Sequence, residues 1–221
     1  MKHWMMIGLG AILMLGCSGA EDGTLAPEER TAASTDALQT GLPWIGPVSE
    51  ESNKNSAVCP YSDRLATRAQ CAGSYCDDSY LYCGTPPRGF TRTGVDWGWT
   101  AYISEESISP AMCPGTSAID GIRATGSYAD NVSIHCTGIT FPPAGTTNCA
   151  WTPWLSEENG GIQTFKANIF SAFSAVALAV KCRGSYCDDK AYWVCEPKCQ
   201  SDADCGSGFY CHQSSGGCTI G

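Results

Sequence analysis

The chain has 221 residues with 25 Gly, 12 Pro and 15 Cys, only 16% charged residues and a formal net charge of −9. That length admits one or two domains, and so much Cys and Gly argues against a helical bundle or a cytosolic enzyme. Thirteen basic against 22 acidic side chains, with no cluster of Lys and Arg, exclude a nucleic-acid partner, because neutralising phosphates takes clustered cations.

Residues 1–16 read as an export signal. Lys2 forms a short positive region, and the uncharged apolar run from Trp4 to Gly16 follows it. At ~1.5 Å per residue this run reaches about 20 Å, short of the ~30 Å hydrocarbon core, so it is a signal and not a span. Its end, Leu13-Met14-Leu15-Gly16-Cys17-Ser18, resembles a bacterial lipobox, with Met14 where Leu is usual. The resemblance implies cleavage before Cys17, lipid on its thiol and, with Ser18 next, sorting to the outer membrane. The rival cut after Ser18-Gly19-Ala20 leaves a soluble secreted protein. No second long apolar run follows, so the expected membrane contact is through the lipid anchor alone.

Either cut leaves 14 Cys, an even number suited to a disulfide framework in an oxidising compartment. No C-x2-C pair occurs, so no metal is expected, and no cofactor. Residues 17–42 are small, polar and aperiodic after Cys17 and read as a flexible tether, with a reach of ~25–30 Å.

From 43 to 196 the chain repeats itself three times, over 43–84, 97–136 and 151–195. Each copy opens with Trp, passes through Ser-Glu-Glu and Gly-Ser-Tyr with an acidic pair, and ends in a strand bearing Cys. Successive Ser-Glu-Glu elements, at Ser49, Ser104 and Ser156, lie 55 and then 52 residues apart. Within a copy the pattern has period two. Val132, Ile134 and Cys136 alternate with Ser133 and His135, and Val176, Leu178 and Val180 alternate with Ala177 and Ala179, which predicts strands with one buried face. Gly-Ser-Tyr followed by Asp-Asp or Asp-Asn is turn chemistry between two such strands. Helical period is absent outside the signal, so the body is expected to be all-β.

The copies also assign disulfides. Aligning Gly73 with Gly126 sets Cys71 and Cys76 opposite Ala124 and Ala129, so two thiols vanish together. Paired loss implies the bond Cys71–Cys76 and, by analogy, Cys182–Cys187, each worth ~2 kcal/mol. Cys59–Cys83 and Cys113–Cys136 then form two copies of a longer bridge, worth ~3–4 kcal/mol each. The third copy lacks Cys-Pro, so Cys195 has no such partner, and Cys149 is the candidate for it.

Trp97-Gly98-Trp99, Cys113-Pro114-Gly115 and the strand Asp130-Asn131-Val132-Ser133-Ile134-His135-Cys136 resemble the repeat of vitelline membrane outer layer proteins. That resemblance covers about 44–196 and implies a β-prism, three four-stranded sheets about a pseudo-threefold axis with one sheet per repeat. Ser-Glu-Glu lies outside that family's pattern. A β-trefoil is the alternative threefold architecture.

Residues 197–221 carry Cys199, Cys205, Cys211 and Cys218 among glycines and are too few to bury a core, so two disulfides must hold them. Crossed pairing, Cys199–Cys211 and Cys205–Cys218, is one of three connectivities. Asp202 and Asp204 fall short of the six to eight oxygens calcium takes.

Nothing reads as catalytic. His135 and His212 are the only histidines after processing, and His135 sits where the first copy has Tyr82, a strand-face position. No nucleophile elbow, HExxH or phosphate-cradling loop occurs. Repetition suits a multiplied binding surface better than a single active site. The candidate ligand-binding residues are therefore Glu50, Glu51, Glu105, Glu106, Glu157 and Glu158 with Tyr75, Tyr128 and Tyr186, carboxylates meeting sugar hydroxyls and rings packing on the sugar. The plainer reading pairs one Glu of each copy with a base such as Arg68, Arg123 or Lys181 and makes the tryptophans core wedges. The expected function is non-catalytic binding of carbohydrate or another extracellular polymer. The alternatives are a purely structural envelope component and, more weakly, a hydrolase or protease inhibitor.

Overall fold

The computed structural model describes residues 44–49, 54–142, 147–159, 161–172, 174–205 and 207–220. The signal, the tether, Cys17, Glu50 and Glu51 lie outside them. Among the described residues the chain forms only strands and short 3-10 turns, so it is all-β. The first repeat gives β1 (Trp44–Val48), β2 (Ser56–Val58), β3 (Leu65–Ala72) and β4 (Asp78–Gly84). The second gives β5 (Thr91–Trp99), β6 (Ala111–Met112), β7 (Ser117–Thr125) and β8 (Asn131–Thr140). The third gives β9 (Thr147–Trp151), β10 (Ile162–Thr164), β11 (Val176–Arg183) and β12 (Asp189–Pro197), and the tail adds the hairpin β13 (Phe209–His212) and β14 (Gly217–Ile220).

The strands build three four-stranded antiparallel sheets with one layout: β1-β4-β3-β10, β5-β8-β7-β2 and β9-β12-β11-β6. The expectation of one sheet per repeat is corrected here. Each repeat keeps its first, third and fourth strands and gives its short second strand to another sheet. β2 of the first repeat pairs with β7 of the second, β6 of the second with β11 of the third, and β10 of the third with β3 of the first.

A bulge in the third strand of every sheet receives the visitor. The register shifts at Thr67, Asp120 and Leu178. The carbonyls of these residues accept the N–H of Phe165 (3.0 Å), Cys59 (2.7 Å) and Cys113 (2.8 Å), each just past the visiting strand. The extra residue also breaks the alternation expected of Val176, Leu178 and Val180. Val180 packs with Ala177 in the main core, while Val176 and Leu178 join Leu65, Phe90, Ala118 and Ile139 in a smaller cluster.

The main core draws on all three sheets, with Ala66, Ala69 and Leu81 from the first, Ile119, Ile122 and Ile134 from the second, and Ala177, Val180 and Val194 from the third. Side chains alternate along a strand, so the opposite face of every sheet looks away from this common core.

Seven disulfides link Cys59–Cys83, Cys71–Cys76, Cys113–Cys136, Cys149–Cys195, Cys182–Cys187, Cys199–Cys211 and Cys205–Cys218. Cys195, however, is not the third copy of Cys83 and Cys136. Cys83 faces Ala66 and Cys136 faces Ile119, whereas the matching partner, Ala177, faces Val194. Cys195 lies one place further on, opposite Cys149. The place of Cys59 and Cys113 is likewise taken by Phe165, which follows its exchanged strand as they follow theirs. Phe165 and Val194 are both fully buried, so the third repeat fills with apolar atoms the site that its siblings close covalently.

The tail docks on the body. Phe209 stacks on Phe170 at 4.7 Å between ring centroids, Arg88 pairs with Asp204 at 3.3 Å, and Asn168 donates to the carbonyl of Cys218 at 3.1 Å. Glu196 at the end of β12 holds the segment carrying Asn168 and Phe170. Its buried carboxylate accepts the backbone N–H of Ala167 and of Asn168, each at 3.1 Å, and burial pushes its pKa up to about 7.

Candidate functional site

The three Gly-Ser-Tyr segments form 3-10 turns over Ser74–Cys76, Ser127–Ala129 and Ser185–Cys187. Each needs its glycine. Gly73, Gly126 and Gly184 have φ of +74°, +83° and +77°, and a Cβ there would come within 2.0 Å of the carboxylate of Asp77, Asp130 or Asp188. The first Asp of each acidic pair therefore folds back over its own turn. The last two residues of each turn, Tyr75-Cys76, Tyr128-Ala129 and Tyr186-Cys187, also have positive φ, and these six are the only non-glycine cases among the described residues.

This left-handed geometry, costly for L-residues, gathers the three tyrosines at one end of the body. The rings of Tyr75, Tyr128 and Tyr186 pack on one another with centroids 5.3, 5.4 and 4.9 Å apart, and the residues stay 43%, 40% and 37% exposed. The sequence reading placed one tyrosine in each of three sites; the fold makes them a single cluster.

Lys190 stands beside the same turns, 1% exposed. Its Nζ donates to the carbonyls of Cys76 (3.1 Å) and Cys187 (3.0 Å), joining the turns of the first and third repeats. Burial lowers its pKa to about 8, against the opposing pull of Asp188, Glu157, Asp77 and Asp189. Ser79 and Val132 hold this position in the other repeats, so the cation is particular to the third.

The described Ser-Glu-Glu glutamates of the second and third repeats hold unlike positions. Glu105 and Glu106 are exposed on a turn, and Glu106 lines an open groove of about 650 Å³ with Tyr102, Ile108 and Met112. Glu157 and Glu158 open the 3-10 turn Glu157–Asn159. A Glu157 carboxylate oxygen comes within 4.8 Å of both sulfurs of Cys71–Cys76. Arg68, Arg123 and Lys181 have no carboxylate within ion-pair reach among the described residues. They lie over aromatic rings instead, so the expected pairs are not formed by Glu105, Glu106, Glu157 or Glu158, while Glu50 and Glu51 lie outside the described residues.

Three of those rings are Trp99, Trp151 and Trp154, which are not core wedges. Trp44, Trp99 and Trp151 sit on the first strand of their sheets, directly opposite Tyr82, His135 and Trp193. The latter three lie between core residues of their strands and so face outward. The ring centroids of these pairs are 5.2, 5.0 and 5.6 Å apart. On the second sheet the Arg123 guanidinium lies 4.7 Å from the Trp99 ring and 4.5 Å from that of Tyr102. On the third sheet Lys181 Nζ takes the equivalent place, 4.3 Å from Trp151 and 4.9 Å from Trp154, and Arg183 covers Trp154 at 4.2 Å. Both cages pair an aromatic residue with another three residues on. The first sheet has Pro47 and Gln70 at those positions and only Arg68 over Tyr82, at 4.9 Å. Trp154 and Lys181 also line a pocket of about 250 Å³ against the segment Ile103–Pro110.

One polar network escaped the sequence reading. Asp120, the bulge residue of β7, is fully buried and binds His135 Nδ1 at 2.7 Å and Arg92 Nη2. His135 Nε2 reaches Asp96 at 3.2 Å, and Arg92 also donates to Thr137 Oγ1 and to the carbonyls of Tyr61 and Arg64. Burial raises the Asp120 pKa against these partners. An acid inside the apolar run Ala118-Ile119-Asp120-Gly121-Ile122 was the available signal.

No family model matches the chain, and neither a curated protein nor a solved structure matches it.

Proposed function

We propose that this protein is a non-catalytic carbohydrate-binding protein of the cell surface, exported and held to the outer membrane through lipid on Cys17. The observation that carries the binding reading is the repeated outward constellation of paired aromatic rings with a cation beside them. Pyranose rings pack their C–H faces on such rings, while cationic N–H groups donate to sugar oxygens. The Lys181 cage adds a pocket beside its rings. Three sheets of one layout and three turns meeting in one tyrosine cluster support a further reading: the sheets are the walls of a prism about a pseudo-threefold axis near Tyr75, Tyr128 and Tyr186.

Passing the full chain over a panel of immobilised polysaccharides tests binding. Retention on at least one polymer is expected, weakened at least tenfold by joint Trp99→Ala and Trp151→Ala substitution, with circular dichroism unchanged. Failure to be retained on every polymer sinks it. That outcome favours the structural envelope reading, which has its own support in the fact that the protein's cations already occupy both cages. The anchor has a separate test. Labelled fatty acid is expected to enter the chain, and Cys17→Ser to abolish the incorporation; labelling that survives this change refutes it.

A further inference from the structure

We infer that the two cages take an anionic saccharide, a uronate or sulfate-ester polymer, and that one molecule joins two polymer chains. The inference rests on the carbohydrate-binding reading and adds to it the charge of the ligand and the number and direction of its sites.

The charge follows from what the cages lack. Acidic residues outnumber basic ones 22 to 13 in this chain, yet Arg123 and Lys181 have no carboxylate partner among the described residues. Three other arginines do find acids: Arg88 pairs with Asp204, Arg92 with Asp120, and Arg183, which covers Trp154 beside Lys181, with Asp189. Each cage cation is held in place by other means. Arg123 sits between two rings and donates Nε to Ser133 Oγ (3.2 Å) and Nη2 to the carbonyl of Thr100 (3.4 Å), leaving Nη1 without a hydrogen bond among the described residues. Lys181 Nζ lies over two rings, with no hydrogen bond or ion pair among the described residues. A positioned cation with unused donors on an aromatic floor matches a carboxylate or sulfate on a sugar ring.

The number and direction follow from the sheets. Among the described residues a complete cage exists on the second and third sheets only, since Pro47 and Gln70 replace ring and cation on the first. Both sheets bury their other faces in the shared core, so each cage faces outward from its own sheet. Two oligosaccharides can then be held by one molecule, one at each cage, and a molecule holding a different long polymer at each cage joins two chains.

Calorimetry with hexagalacturonate and with a sulfated oligosaccharide, beside a neutral hexasaccharide, tests this. At least one anionic probe is expected to bind at two equivalents per chain, about tenfold more weakly in 0.5 M than in 0.05 M NaCl. Trp99→Ala and Trp151→Ala should each leave one equivalent. The unaltered protein should aggregate the corresponding long anionic polymer, while either variant binds it without aggregation. Equal binding of the neutral probe, unaffected by salt, overturns the anionic ligand and leaves carbohydrate binding standing. Anionic binding at one equivalent, or aggregation by both single variants, overturns the bridging. Absence of binding to charged and neutral probes alike removes this inference and the reading beneath it together.

Discussion

The destabilisation caused by Lys190→Met grows by about 2 kcal/mol between pH 8 and pH 9.5. The reason lies in the two forms of the lysine. Its ammonium is buried against the carbonyls of Cys76 and Cys187, and burial lowers its pKa from 10.5 to about 8. Between those values the unfolded chain binds the proton and the folded chain releases it, so folding of the unaltered protein gains stability as pH rises. Methionine fills the same space but donates to neither carbonyl, and each buried acceptor left alone costs ~1–3 kcal/mol. At pH 7 that loss is partly offset by removal of a desolvated charge, so the variant is only ~1–3 kcal/mol weaker there. Urea unfolding of both proteins across pH 7–9.5 measures the difference, and the range stops short of the titration of Tyr192, which burial raises. A difference that stays flat or shrinks over that range contradicts the assignment.

Phe165→Ala costs about 3–5 kcal/mol, among the largest single losses expected in this molecule. The ring is fully buried in the core shared by all three sheets, packs on Tyr192 at 4.7 Å between centroids, and stands where the other repeats place Cys59 and Cys113. The equivalence also makes a constructive prediction. Phe165→Cys with Val194→Cys should form an eighth disulfide on oxidation, because the backbone frame repeats one that already accommodates Cys59–Cys83 and Cys113–Cys136. Thiol titration should find neither new cysteine free, and thermal melting should place this protein above the Phe165→Ala, Val194→Ala double variant by ~3–4 kcal/mol, the loop-closure worth of such a bond. Two free thiols in the folded protein would show that the third repeat departs from its siblings here.

The all-β character and the cysteine pairing were legible in the sequence because both are written as differences among three copies of one text. The joint absence of Cys71 and Cys76 equivalents at Ala124 and Ala129 identified a bond from a single chain. The exchange of second strands was not legible, because three similar sheets offer three similar edges and self-comparison cannot say which edge a strand joins. The bulges at Thr67, Asp120 and Leu178 were hidden for a related reason: all copies carry the extra residue, so alignment shows no gap. The plainer reading of Glu105, Glu106, Glu157 and Glu158 assumed that a base meets an acid. In the structure Arg123 and Lys181 meet rings, a choice set by cross-strand register, which spacing along the chain does not reveal.

The passage of strands from sheet to sheet also sets the order in which the molecule can be finished. A chain made from its amino terminus completes the second sheet once β8 exists, since β2 is already in hand. The third is complete once β12 has joined β6. The first sheet, earliest in sequence, is the one that waits, because its outer edge at β3 is covered only by Ile162–Thr164. Until that strand arrives the growing chain holds an open edge that any other strand can extend. Pairings between such distant segments slow folding. A molecule truncated before β10 is thus left with an unsealed first sheet, which the third repeat closes.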